Sequence, residues 1–452
     1  MLEGKFEPMR TRVLIVDDEL TRESAEGRAS RALVRDMEAR NLEVVQAVSA
    51  EDGTAVVTSD AAIHAVLMDW TLDGDDAKTH AKATKLLEHI RSRNDRVPVF
   101  LMAEREEATA LPVEIMQLAD EFVWMLEDTA AFVSGRVEAA AKRYIEQMLP
   151  PMAAALGRFG RVHEYSWHTP GHTGGTAFLK SPVGRVFHDY FGERLLRSDL
   201  SISVGELGSL LDHTGPIGES EKYAARVFGA HRTYCVTNGT STSNRVIFMA
   251  AVTEGQIALC DRNCHKSIEH GLTMTGAIPN YYVPLRNRYG IIGPIHPGQF
   301  RAAAIRRSIE ANPLVQAKTD RRPVYSVVTN STYDGLCYNA RAVEELLDPS
   351  VDRIHWDEAW YGYARFHPIY RDRFGMRGDP KDHAGPTVFA THSTHKLLAA
   401  LSQASFLHIR DGRGSIPHAR FNESFMMHAS TSPLYTIIAS NDVSAAMMDG
   451  RG

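Results

Sequence analysis

The chain has 452 residues, of which 44% are hydrophobic and 23% charged. At ~100 to 200 residues per domain this predicts roughly two to four domains, and it excludes a disulfide-stapled miniprotein, wholesale disorder and a fibrous repeat. Fifty basic against 56 acidic side chains leave a net charge of −6 with the signs interspersed, so there is no basic footprint for nucleic acid.

The amino terminus MLEGKFEPMRTR lacks the apolar run of a signal peptide, and no stretch approaches the ~20 apolar residues of a membrane span. Four cysteines, none in a CxxC pair, are too few for a disulfide framework and predict a reducing, cytoplasmic setting with no membrane partner. From Val13 to about Val133, apolar runs alternate with helical patterns. They are VLIVDD, a helix near Ser24 to Arg40, then VVQAVS, AVLMDW, VPVFLM and EFVWML. This is the rhythm of a doubly wound parallel sheet. Asp17, Asp18 and Asp69 fall at strand carboxyl ends, the ligand-facing edge of such sheets.

That segment resembles a response-regulator receiver domain, in which the acidic cluster holds a divalent cation and one Asp accepts phosphate. The small hydroxyl residue expected after the fourth strand is Ala103, and the lysine expected after the fifth is missing from VWMLEDT. A scaffold with a structural or assembly role is therefore expected rather than a phospho-switch. The expected wing domain spans 1–130 and a linker region 131–205, with a long helix from Thr129 to Met148 stopped by Pro150-Pro151. Within the linker, WHTPGHTGG reads either as a surface turn or as a cluster of polar side chains.

The expected large domain covers 206–452, with strands YCVT, IALCD, YYVPL, VYSVVTN, RIHWD and TVFATH. Its last segment, SNDVSAAMMDG, reads as a helix cut short, so the domain is expected to be truncated at its carboxyl-terminal end. Three constellations lie at its predicted strand ends. In TNGTSTSNR, strand YCVT runs through Gly239 into Thr240, Ser241 and Thr242 ahead of a helix expected to begin near Asn244, and the stretch serves either as a cap alone or as an anion site. In RIHWDEAW, Asp357 is either a cap or a buried carboxylate that keeps a pyridine-type nitrogen protonated. In HSTHKLLAALSQAS, Lys396 follows a strand end beside His395, where desolvation or a neighbouring cation makes an amine nucleophilic enough to form an imine.

HSTHKLLAALSQAS, DRNCHKS and LDHTGPIGESEKYAARVFGA together resemble the bacterial Orn/Lys/Arg decarboxylases, pyridoxal-phosphate enzymes of the aspartate-aminotransferase fold. The resemblance spans essentially the whole chain and implies pyridoxal 5'-phosphate as cofactor. It makes Lys396 the residue that joins the cofactor, Asp357 the partner of its ring nitrogen and His265 the imidazole stacked on the ring. Thr240, Ser241, Ser393 and His395 are similar to phosphate-side residues. Ala359 and Trp360 match the ring pocket, and Ser430 in MMHASTSP matches a position that reaches the phosphate of a neighbouring subunit. No metal is implied.

The resemblance further implies an amino-acid substrate, and homodimers joined into larger rings by the wing. WYGYARFHPIY, NRYGIIGPI and HTGPIGESEKYAARVFGA look most like biodegradative arginine decarboxylases, which predicts agmatine and carbon dioxide from L-arginine. TNGTSTSNR is also close to lysine members, so lysine or ornithine is the alternative. An aminotransferase-type reaction and a receiver-linked regulatory protein without catalysis are the other readings.

Overall fold

The computed structural model describes residues 11–72, 80–105, 111–162 and 168–450, so the amino-terminal decapeptide and Trp167 of WHTPGHTGG lie outside the described residues. The chain divides into two compact units between Leu149 and Pro150. No helix among the described residues is long and apolar enough to cross a membrane.

In the first unit, β1 (Arg12–Val16), β2 (Glu43–Ala47), β3 (Ile63–Asp69), β4 (Val99–Ala103) and β5 (Glu121–Trp124) form a parallel sheet in the order β2-β1-β3-β4-β5. β3 and β4 are buried at every residue. They read as unbroken apolar runs because helices cover both faces. The predicted first helix is Ala25–Ala39, started by Ser24, whose Oγ accepts the Gly27 N–H at 3.0 Å. The helix Ala130–Met148 lays Val133, Val137, Ala140 and Ala141 into the core of this unit.

At the carboxyl edge of that sheet, the Asp17, Asp18 and Asp69 carboxylates gather within 4.8 Å of one another. Each has a partner of its own: Ser30 Oγ donates to Asp17 at 2.5 Å, Arg22 pairs with Asp18 at 2.9 Å and Thr71 Oγ1 donates to Asp69 at 3.0 Å. Burial, with the nearby Asp17, pushes the Asp69 carboxyl up to about 7. Ala103 is buried at the end of β4 and offers no hydroxyl to this edge.

The second unit is built on β6 (Arg232–Val236), β7 (Ile257–Asp261), β8 (Ile278–Tyr282), β9 (Tyr325–Thr329), β10 (Arg353–Asp357), β11 (Thr387–His392) and β12 (Ser405–Arg410). Their order is β6-β12-β11-β10-β9-β7-β8, and β12 runs antiparallel to both of its neighbours. β12 is missing from the predicted set, and β8 lies three residues earlier than YYVPL. The stretch read as linker carries helices at Pro151–Val162, Pro182–Phe191 and Glu193–Ser198. Met152, Ala155, Leu156 and Phe159 belong to the large unit's core. Asp442 ties that stretch down by accepting the Met152 N–H at 2.7 Å and the Ser220 hydroxyl at 2.8 Å.

Two features of this unit set the site's frame. Helices Thr240–Ala251 and Lys266–Thr275 approach closely because residue 271 is glycine. A Cβ there would stand 2.6 Å from the Phe248 ring. In LDHTGPIGES, His213 donates from Nδ1 to Glu221 at 2.8 Å and from Nε2 to Asn422 Oδ1 at 2.8 Å. The Asn422 amide nitrogen donates to the Leu211 carbonyl, which fixes its orientation. With Glu221 ionised both ring nitrogens face acceptors and the ring is an imidazolium; burial raises the Glu221 carboxyl and the His213 charge opposes that rise. Glu221 in turn accepts the Cys235 N–H of β6 at 2.8 Å.

Burial alone would push His213 down, but the Glu221 charge and hydrogen bonds outweigh it, so its pKa is raised. A raised folded pKa gives stability that is complete below the unfolded value of ~6.5 and is lost as pH climbs through the folded value. His213→Gln is expected to cost about 3–5 kcal/mol near pH 6, the loss on breaking a buried pair, and progressively less at higher pH. Denaturant unfolding across pH checks this, and a cost that does not change with pH would remove the imidazolium assignment.

Candidate active site

The carboxyl ends of β6, β7, β10 and β11 deliver one side chain after another to a single cavity of about 520 Å³. Thr240 and Ser241 follow β6, His265 follows β7, Asp357 ends β10, and Ser393, His395 and Lys396 follow β11. Ala359 and Trp360 line the same cavity. Nine of the ten residues singled out in the sequence thus meet in one place. Ser430 does not: it is exposed, and its Oγ accepts the Ser432 N–H at 3.0 Å.

Gly239 turns the chain into the helix Thr240–Ala251 with φ 75°, and no atom would contact a Cβ placed on it, so backbone conformation rather than space selects glycine. The amides of Thr240 and Ser241 stand ahead of the first intrahelical bonds and, with the helix dipole, favour an anion. Thr240 Oγ1 bonds Ser393 Oγ at 2.6 Å and Ser405 Oγ at 2.9 Å, joining the loops after β6 and β11 to the start of β12. His395 donates from Nδ1 to the Ala404 carbonyl at 2.7 Å, which fixes the ring at the cavity wall.

Lys396 Nζ lies 4.4 Å from the centroid of the Trp360 ring. Burial pushes the lysine down, and the nearby Asp357 only partly opposes this, so a larger share of the amine is unprotonated and nucleophilic than in water. Asp357 is buried, and its Oδ2 accepts from Asn244 Nδ2 at 2.9 Å. Its Oδ1 has only contacts of 3.4 Å from the Ala359 N–H and 3.5 Å from Thr391. Burial holds this carboxyl above its ordinary range against the pull of Asn244, His265 and Lys396. A cation beside Oδ1 would relieve that cost.

His265 is pushed down, chiefly by burial. Its Nδ1 accepts from the Ser267 backbone N–H at 3.2 Å and from Ser267 Oγ at 2.8 Å. Asn244, Ser331, Tyr333, Ser402 and Gln403 also line the cavity and were not singled out in the sequence. Asn244 falls within TNGTSTSNR, and Ser402 and Gln403 within HSTHKLLAALSQAS, but those motifs were read for their other residues, and only the fold brings these side chains in. Together an amine, a buried carboxylate, a flat imidazole and a hydroxyl-rich helix start meet the demands of a phosphorylated pyridine aldehyde. The donor set fits the cofactor expected from the resemblance.

A sheet of this order, with a lysine past one strand end and a buried aspartate closing the next, defines an enzyme class of the aspartate-aminotransferase fold. Fold and two residues leave several reactions open. The chain belongs to the Orn/Lys/Arg decarboxylase family: residues 150–452 match the family's major domain and 25–144 its N-terminal domain. It is 52% identical to the biodegradative arginine decarboxylase of Escherichia coli, over 97% of this chain and 58% of that one. It is 44% identical to a lysine decarboxylase of Pseudomonas aeruginosa, over 98% of this chain and 60% of that one.

Among solved structures, lysine decarboxylase A from Pseudomonas aeruginosa superposes with a TM-score of 0.90 at 44% identity, covering 98% of this chain and 59% of that one. The chain therefore spans about 60% of the length of the curated relatives it matches.

Proposed function

We propose that this chain carries the catalytic centre of a pyridoxal-phosphate-dependent decarboxylase that converts L-arginine to agmatine and carbon dioxide. The observation that carries the reading is the convergence of Lys396, Asp357 and His265 in one cavity beside the Thr240 helix start. When bound there, the cofactor supplies an electron sink for the pair released as carbon dioxide leaves. Lys396 would hold the cofactor through its carbonyl carbon and, as an ammonium, would offer a proton. Asp357 would keep a positive charge on the heterocyclic nitrogen, and the His265 imidazole would pack against the heterocycle. Thr240, Ser241, Ser393 and His395 would bind the phosphate, and Ala359 and Trp360 would exclude water from the ring's edge.

Ser430, exposed on this chain, would reach a neighbouring subunit's phosphate in a homodimer. The wing would then join dimers into rings in the cytoplasm. Arginine is favoured over lysine by the 52% identity to the arginine enzyme against 44% to a lysine enzyme and by WYGYARFHPIY and NRYGIIGPI.

A guanidinium needs a planar, multiply accepting site, and an ammonium a compact one, so one pocket does not serve both equally. With the full-length protein and equal concentrations of arginine, lysine and ornithine, agmatine is the expected dominant amine by mass spectrometry. Cadaverine or putrescine as the main product would move the substrate while leaving the decarboxylase reading in place. Keto acid without amine would instead favour an aminotransferase-type reaction.

A further inference from the structure

Beneath the cavity floor runs a chain of buried polar side chains to which the proposed catalytic roles assign nothing. Tyr325 OH lies 2.5 Å from His355 Nδ1, His355 Nε2 lies 3.2 Å from Thr391 Oγ1, and Thr391 Oγ1 lies 3.0 Å from Asn244 Oδ1. The Asn244 amide nitrogen then branches, at 2.9 Å to Asp357 and at 2.9 Å to Ser267 Oγ. Ser267 Oγ reaches His265 Nδ1 at 2.8 Å. From Tyr325 to Ser267, every member of the chain is buried.

The polarity of this chain follows from one group that can only donate, the Ser267 backbone N–H. It points at His265 Nδ1, which serves as the N-cap acceptor of the helix Lys266–Thr275. Nδ1 therefore carries no proton, and the Ser267 hydroxyl at 2.8 Å must donate to it as well. Having spent its proton, Ser267 Oγ accepts, so the Asn244 atom facing it is the amide nitrogen. The second amide proton of Asn244 goes to Asp357, and its Oδ1 accepts the Thr391 hydroxyl. Thr391 Oγ1 then accepts Nε2–H from a neutral His355, and Tyr325 donates to Nδ1. One orientation satisfies every donor and acceptor in the chain, and reversing any member leaves a buried polar group unmet, a cost folded proteins avoid.

We propose that Asn244 is a positioning residue which, through Ser267, fixes His265 as the neutral ring with its proton on Nε2 and, through the same amide, holds Asp357 in place. The inference rests on the reading of this cavity as the catalytic site. It adds that His265 offers the cavity a fixed hydrogen-bond donor rather than an acid. A neutral imidazole N–H does not give up its proton near neutrality, so proton delivery in the cavity falls to Lys396. The charged and titratable groups around His265 pull both ways: Asp357 favours its protonation, while Lys396, Lys266 and His270 oppose it.

The test needs no cofactor. In the cofactor-free protein with nitrogen-labelled histidine, the His265 signals are assigned by their loss in His265→Asn. The expected spectrum places the proton on Nε2 and keeps the ring neutral from about pH 8 to about pH 6, while an exposed histidine titrates near ~6.5. A proton on Nδ1, exchange between both tautomers, or an imidazolium near neutrality overturns the proposal.

Asn244→Ala frees the Ser267 hydroxyl to turn and accept, so tautomer mixing and protonation about one pH unit higher are expected. An unchanged His265 spectrum in that variant also overturns the proposal. Ser267→Ala removes a single oxygen and tests the same link if Asn244→Ala folds poorly, with mixing again expected and an unaltered spectrum again fatal. Because no turnover is measured, failure here is separate from failure of the decarboxylase reading.

Discussion

Lys396→Ala is expected to abolish both covalent cofactor attachment and measurable turnover. Among the described residues no other lysine lines the cavity, so none of them can replace its bond to the cofactor's carbonyl carbon. The same substitution removes the group left to deliver the proton if His265 stays neutral, and positioned proton transfer alone contributes about 10²–10⁴-fold. Turnover should therefore fall at least that far. The fold should survive, because Lys396 is half-buried, and its contact to be lost is with the half-buried Trp360 ring. Borohydride treatment followed by peptide mass mapping reads the result: an adduct absent from the variant and present on Lys396 in the parent. A borohydride-stable adduct on another lysine of the variant would move the assignment.

What the sequence made legible follows from physics that acts locally. Parallel strands covered on both faces are continuous apolar runs, and their carboxyl ends announce themselves by the polar residues that follow, as at Asp357 and Lys396. β12 was not legible because His408 and Arg410 interrupt its apolar pattern, yet both are buried. His408 is satisfied by Thr233 at 2.7 Å and His392 at 3.2 Å, partners on other strands. Local pattern contains no sign of such pairings.

Asn244 and Ser267 were hidden for the same reason. They are ordinary residues near the starts of their helices, and they become informative only when Gly271 lets the two helices meet against Phe248. The linker reading of 131–205 followed the Pro150-Pro151 pair and the Gly, His and aromatic content after it. The helix Pro151–Val162 is buried through Met152, Ala155, Leu156 and Phe159 in the large unit's core, and its start is held by the Asp442 carboxylate, 290 residues from Met152.

Asp357→Asn is expected to leave the cofactor bound and to reduce decarboxylation by about 10 to 10³-fold, the effect of losing an opposite charge worth ~1–3 pKa units on a neighbouring group. The substituted amide keeps nearly the same shape. Its Oδ1 would turn to Asn244 Nδ2, which can only donate and lies 2.9 Å from the present carboxylate. That leaves an NH₂ group facing the cavity where a carboxylate oxygen stood. An NH₂ group donates to an unprotonated ring nitrogen and repels a protonated one, so residue 357 would favour the uncharged heterocycle and a weaker electron sink.

Lys396, Thr240 and Ser393 are untouched by the substitution, so the absorption of bound cofactor and its resistance to dialysis should persist. Measuring carbon dioxide release beside cofactor content separates the two effects. A variant that decarboxylates within a few-fold of the parent at full cofactor content would show that Asp357 is a structural carboxylate serving only Asn244. A variant that loses the cofactor would show that Asp357 anchors it rather than setting its charge.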